Sequence, residues 1–142
     1  MLALSWSGGK DSALALEALR DSGRAPDLLL STVDEARDVL PHHDLPLTLL
    51  RRQAKLAGLP LIEIAVPSGT GNENYEARLR KAFEDGPLAD VTEVAFGDLF
   101  LADLRAYRES RMAEVGRRAD FPLWGRDTRE LAGEFAGRFA AL

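Results

Sequence analysis

Short apolar runs alternate with amphipathic segments along the chain, and this alternation limits the fold more than any other feature. Runs rich in Leu, Ile and Val read as strands at Leu2–Trp6, Leu28–Val33, Leu61–Val66 and Thr92–Phe96, with a weaker fifth at Phe121–Leu123. Between them, apolar residues recur at intervals of three and four, the helical period. Leu14, Ala15, Ala18 and Leu19 mark a helix over Asp11–Ser22; Leu47, Leu50, Ala54 and Ala57 mark one over Leu47–Ala57. Tyr75, Leu79, Ala82 and Phe83 give a third. A fourth over Leu101–Val115 has its stripe interrupted by arginines, and a fifth carries Leu131, Ala132, Phe135, Ala136 and Phe139 behind Asp127 and Glu130, spaced like a capping box. Strand, helix, strand in this order builds parallel βα units, because parallel neighbours need a crossover connection. The middle strands lack polar alternation, as strands covered on both faces do. The expectation is an α/β fold: a five-stranded parallel sheet with helices on both faces.

A chain of 142 residues is read as one domain, 1–142, able to bury roughly two-thirds of its unfolded surface in one core. The absence of cysteine removes disulfide, thiolate–zinc and thiol-nucleophile chemistry. A net charge of -5 argues against a long polyanion covering the surface, so nucleic acid is not an expected partner, while a local basic pocket for a small phosphate ligand is compatible with it. The start, Met1–Ser7, has no basic segment and is too short for a signal peptide or a membrane span. A cytoplasmic location without a membrane partner is expected.

The first strand runs into Ser7-Gly8-Gly9-Lys10-Asp11-Ser12 and then directly into a helix. Adjacent glycines allow a tight turn and bring backbone N–H groups close to an anion with no Cβ in the way. The helix N-terminus adds free N–H donors and the positive end of its dipole. Ser7 and Ser12 can donate hydroxyl hydrogen bonds, Lys10 can neutralise charge on a leaving phosphate, and Asp11 can cap the helix or hold a magnesium ion. The spacing is neither that of a P-loop, which has four residues between its glycine and Gly-Lys, nor the G-x-G-x-x-G of a dinucleotide fold. Read without a ligand, Gly-Gly is a turn and Lys-Asp-Ser a helix cap.

This hexapeptide at the first strand-to-helix turn resembles the PP-motif of the ATP pyrophosphatases, a branch of the adenine nucleotide alpha-hydrolase superfamily. The resemblance implies a HUP-type Rossmann-like three-layer fold and cleavage of ATP between the alpha and beta phosphates, with adenylation of an acceptor. It also implies Mg2+ as cofactor, and Ser7, Gly8, Gly9, Lys10, Asp11 and Ser12 as nucleotide-binding residues. Further segments are similar to the diphthine-ammonia ligase-like ATP-binding family: His43, Arg52-Gln53-Ala54-Lys55-Leu56-Ala57-Gly58-Leu59-Pro60-Leu61, Phe96-Gly97-Asp98-Leu99, Arg105, Arg108, Glu109, and Pro122-Leu123-Trp124. In that family ammonia attacks the adenylated acceptor. Longer members continue into a Gly- and Glu-rich region associated with the acceptor, a motif missing from this chain. The apolar last helix therefore raises the expectation of a homodimer contact or a partner subunit.

Other candidates carry two readings each. Gly97-Asp98 at a strand's carboxyl end offers a close backbone approach and a carboxylate for catalysis, magnesium, ribose or an amine; it is also an ordinary turn into a helix. Thr32 sits near the end of strand two, where adenine or ribose commonly meets such sheets, and equally terminates a strand. Glu109 is either a carboxylate that positions the acceptor or an i,i+4 partner of Arg105. Trp124 either stacks on a base or caps the core. His43, beside His42, either approaches substrate from a loop or does nothing chemical, since paired histidines followed by Asp44 are not a metal spacing. The function expected is an ATP-dependent ligase or pyrophosphatase. The alternative is a module that binds ATP or AMP without turnover, working with a partner, and a weaker candidate is a sulfur-transfer or RNA-modifying relative.

Overall fold

The structure, a computed structural model, describes residues 1–34, 46–66, 72–99, 101–126, 130 and 133. Nine elements follow in order: β1 (Leu2–Ser5), α1 (Lys10–Asp21), β2 (Leu28–Asp34), α2 (Leu47–Ala57), β3 (Leu61–Val66), α3 (Asn72–Glu84), β4 (Glu93–Ala95), α4 (Ala102–Glu114) and β5 (Arg118–Asp120). The strands form one five-stranded parallel sheet in the order β3-β2-β1-β4-β5. The expected α/β Rossmann-like architecture is therefore the observed one. His43, most of the segment 34–45, residues 67–71 and all but two residues of the fifth expected helix lie outside the described residues.

Alternation along each strand separates two cores. Leu4 of β1, Leu29 and Val33 of β2 and Ala95 of β4 face α1 and α2, where Leu14, Ala15, Leu19, Leu47, Leu50 and Ala54 meet them. Ala3, Leu28, Leu30, Ile64 and Val94 face the opposite way, onto Ala82 and Phe83 of α3 and Met112 of α4. Leu4, Leu29, Leu50 and Phe83 are at most 1% exposed, and each such side chain contributes about 1.5–3 kcal/mol by leaving water. Both faces of the sheet are thus covered, which is why its inner strands read as unbroken apolar runs. Among the described residues no helix is long and apolar enough to cross a membrane.

Several boundaries differ from the sequence reading, most by one residue. The fifth strand is Arg118–Asp120, not Phe121–Leu123. Pro122 has no N–H for a ladder, and Phe121–Arg126 instead form turns in which Trp124 N–H bonds Phe121 O and Arg126 N–H bonds Leu123 O. Helix α3 begins at Asn72, three residues before Tyr75, the first residue of its predicted apolar stripe. Strand β1 ends at Ser5, one residue before Trp6.

Candidate functional site

The chain leaves β1 toward β2 on one side, while β4 lies on the other, so the segments following β1 and β4 diverge and leave a crevice at the carboxyl edge of the sheet. Open α/β sheets bind ligands at such a switch of strand order. A cleft of about 150 Å³ lies there, lined by Asp11, Gly97, Asp98, Leu99 and Leu101. Whole small-molecule pockets span roughly 300–1,000 Å³, so the cleft is smaller than a complete pocket.

The start of α1, through Asp11, forms one wall, and the loop from β1 leads into it. Gly8 sits at φ 79°, a conformation that side chains resist, and it reverses the chain within one residue. Gly9 is the N-cap of α1 and supplies no side-chain cap, leaving the first-turn N–H groups of the helix directed outward. Ser12, buried in the first turn of the helix, closes the loop from below: its Oγ accepts the Ser7 N–H at 3.0 Å and meets the Ser7 Oγ at 2.8 Å. The Ser7 Oγ also accepts the Gly9 N–H at 3.4 Å. Lys10 and Asp11, the first two helical residues, are exposed. Gly97 lies against them: a Cβ there would come within 3.0 Å of the Asp11 carbonyl oxygen and 3.1 Å of its carbon. The absence of a side chain at Gly97 is what lets the segment after β4 touch the start of α1.

Three residues outside the hexapeptide hold this loop. The buried Ser31 hydroxyl donates to Trp6 O at 2.6 Å, and Trp6 N–H bonds Leu30 O at 2.8 Å, fixing the strand end to β2. The Trp6 indole N–H donates to Gln53 Oε1 at 2.9 Å, and Gln53 Nε2 donates to Gly8 O at 3.3 Å. Trp6 carries no chemical signal in the sequence, Ser31 stands out only beside Thr32 near the end of strand two, and Gln53 enters only within a resembling segment. A helical glutamine one turn above the end of α2 gives no signal of where its amide points until the helix is docked.

On the other wall, Asp98 is 15% exposed at its side chain and pairs with Arg108 of α4, Nε to Oδ2 at 2.6 Å. The Arg108 guanidinium lies 4.6 Å from the Phe96 ring centroid, so it is held from two directions. Arg105, one turn earlier, lies over both Phe121 and Trp124, at 4.6 and 4.8 Å from their centroids, and its Nε reaches Glu109 Oε1 at 3.3 Å. Phe121 stacks on Phe96 at 5.7 Å and meets Trp124 edge-on at 5.9 Å.

The structure therefore brings Asp11, Gly97 and Asp98 into one cleft and places Ser7–Lys10 and Ser12 on the adjoining loop. Glu109 makes the i,i+4 pair with Arg105, and Trp124 is half-buried against the core; neither lines the cleft. Thr32 of β2 pairs in register with Ile64 of β3 and also lies outside the cleft lining. Among the described residues no group of three or more His, Cys, Asp or Glu is arranged to hold a metal. Where α1 ends, away from this edge, Arg24 bonds Asp120 and Glu93; these bonds, that to Asp120 foremost, raise its pKa above the ordinary value.

Residues 1–121 match the family described as the diphthamide synthase N-terminal domain. Among solved structures, the chain is similar to a predicted subunit of tRNA methyltransferase from Methanocaldococcus jannaschii. The TM-score is 0.62 and the identity 18%, covering 96% of this chain and 75% of that one. At that identity the likeness is one of fold, including its α/β layering. No curated protein matches the chain. With 1–121 matched, the chain belongs to the diphthamide synthase N-terminal domain family.

Proposed function

We propose that this protein binds ATP across the crevice between β1 and β4 and cleaves it between the alpha and beta phosphates to adenylate an acceptor. The observation that carries the reading is the loop Ser7–Ser12: a left-handed Gly8 and an uncapped α1 N-terminus at the point where strand order switches, with Lys10 exposed beside it. Backbone N–H groups, a helix dipole and one lysine suit a pyrophosphate leaving group.

An acceptor carboxylate oxygen attacks the alpha phosphorus, the bridge to the beta phosphate breaks, and pyrophosphate departs with the electron pair. The loop amides, the Ser7 hydroxyl and Lys10 hold that charge. Ammonia then attacks the acyl carbon and AMP leaves, forming an amide. Such chemistry needs positioning and charge stabilisation rather than a protein nucleophile. Asp11 and Asp98 fit magnesium in kind, since this ion is commonly held by one or two carboxylates, substrate phosphates and water. Asp98 Oδ1 is the oxygen left for it, because Arg108 takes Oδ2. The ion, when bound, supplies positive charge to the phosphate oxygens. Gly97 permits the nucleotide to approach backbone, Thr32 contributes on the ribose side, and His43, Glu109 and Trp124 serve the acceptor. A cytoplasmic setting and a second subunit that completes the acceptor surface belong to the same proposal.

Incubation with ATP, Mg2+ and ammonium, followed by separation of the products, tests it. AMP with pyrophosphate is expected; ADP with phosphate would overturn alpha–beta cleavage. The small size of the cleft, about 150 Å³, favours a second reading, a module that binds ATP or AMP without turnover. Nucleotide binding with neither product pair formed would establish that reading instead.

A further inference from the structure

We infer that Gln53 of α2 is a positioning residue for the phosphate loop, holding the Gly8–Gly9 peptide in the orientation that admits an anion. The inference rests on the proposed ATP site and adds to it a residue that touches no ligand.

The geometry is a two-ended clamp. One end of the Gln53 amide accepts the Trp6 indole N–H at 2.9 Å, which fixes which end is oxygen and which nitrogen. The other end donates to Gly8 O at 3.3 Å. Trp6 is 6% exposed and its own backbone is held at both groups, by Leu30 O and by the Ser31 hydroxyl. The anchor is thus rigid, and Gln53 transmits that rigidity to Gly8 O, while the loop's own serines hold the Ser7 and Gly9 N–H groups. Glycines at 8 and 9 make rotation of the peptide between them inexpensive, since no Cβ opposes either orientation.

The peptide is planar, so its carbonyl and its N–H point in opposite directions. With Gly8 O drawn toward α2, the Gly9 N–H faces the Ser7 hydroxyl, on the side where the α1 N-terminus presents its own N–H groups. Rotating that peptide would bring a carbonyl oxygen to this side. A carbonyl dipole turned toward a phosphate opposes the helix dipole and the Lys10 charge, and the loop would cease to be an anion site with every one of its residues intact.

Two substitutions separate this role from simple packing. Gln53→Glu keeps an acceptor for the Trp6 indole but loses the donor to Gly8 O; Gln53→Met keeps the side-chain length and loses both bonds. The measurements are the affinities for ATP, inorganic pyrophosphate and AMP, together with the thermal midpoint. Both variants are expected to melt within a few degrees of the wild type, because Gln53 is only half-buried. ATP and pyrophosphate affinity should fall roughly tenfold, the equivalent of one lost hydrogen bond of about 1.4 kcal/mol, with AMP affinity unchanged. Equal losses for all three ligands, or no loss in either variant, would overturn the role of Gln53 while leaving the ATP site standing. A wild-type protein that bound neither ATP nor pyrophosphate would overturn the site and Gln53's part in it together.

Discussion

Asp98 and Arg108 meet at 2.6 Å across the gap between the end of β4 and the second turn of α4, and the pair fixes a carboxylate that lines the cleft. The arginine is 30% exposed and its partner 15%, so the pair is partly shielded from water without being fully buried. Arg108→Met keeps a long stem over Phe96 and removes the charge, leaving a shielded carboxylate without a cation. A loss of about 1–2 kcal/mol is expected, below the value for fully buried pairs. Adding Asp98→Asn should recover part of it, as chemical denaturation of the single and double variants would show. A double variant less stable than Arg108→Met would contradict the pairing argument.

Lys10 is exposed on the first turn of α1, so its role can be tested with little effect on folding. Lys10→Ala is expected to lower AMP formation at least about a hundredfold, the scale on which removal of one charge-stabilising donor acts. Its thermal midpoint should stay at the wild-type value. Turnover unchanged within twofold by quenched-product assay would remove Lys10 from the mechanism.

Gly97→Ala places a methyl group about 3.0 Å from the Asp11 carbonyl oxygen. Backbone must give way on one side, and overpacking of this kind costs about 1–3 kcal/mol. Because the pressure falls on the first turn of α1, nucleotide affinity should fall along with stability. Titration calorimetry beside a melting curve checks both.

Arg117 serves as the control, since it lies at the junction of α3, α4 and β5 and takes no part in the cleft. Its guanidinium donates to the carbonyl oxygens of Val91, Val115, Phe83 and Ala89 and sits over the Phe83 ring. Arg117→Ala is expected to cost about 2–3 kcal/mol, because charged donors to carbonyls are stronger than neutral ones. ATP affinity should not change. A selective loss of nucleotide binding would mean that the two ends of the sheet are coupled.

The order of elements is legible because β2 is buried on both faces, β3 is an apolar run beside it, and α1 and α2 each carry one clean stripe. β5 was hidden for the opposite reason. An edge strand of Arg118, Ala119 and Asp120 has one neighbour and no need of an apolar run, whereas Phe121-Pro122-Leu123 looks like a strand and fills the core as a turn. The broken stripe of α4 also has a physical cause: Arg105 and Arg108 hold their guanidinium groups over Trp124, Phe121 and Phe96, so residues that read as polar interruptions cover aromatic surface. In the site, the Gly-Gly turn was legible because backbone geometry is written locally. The clamp through Trp6, Gln53 and Ser31 joins three elements and has no local signature.

β1 is the middle strand of five, flanked by β2 and β4, and its Ala3 and Leu4 are wholly out of water. The Ser7–Ser12 segment is therefore hung from the part of the sheet that opens last, and not from a frayed margin. Amides at its root should exchange with solvent only when the entire domain unfolds. A ligand seated on that loop would then stiffen no separate region; it would raise the melting temperature of the molecule as a whole, in proportion to the logarithm of its concentration over its dissociation constant.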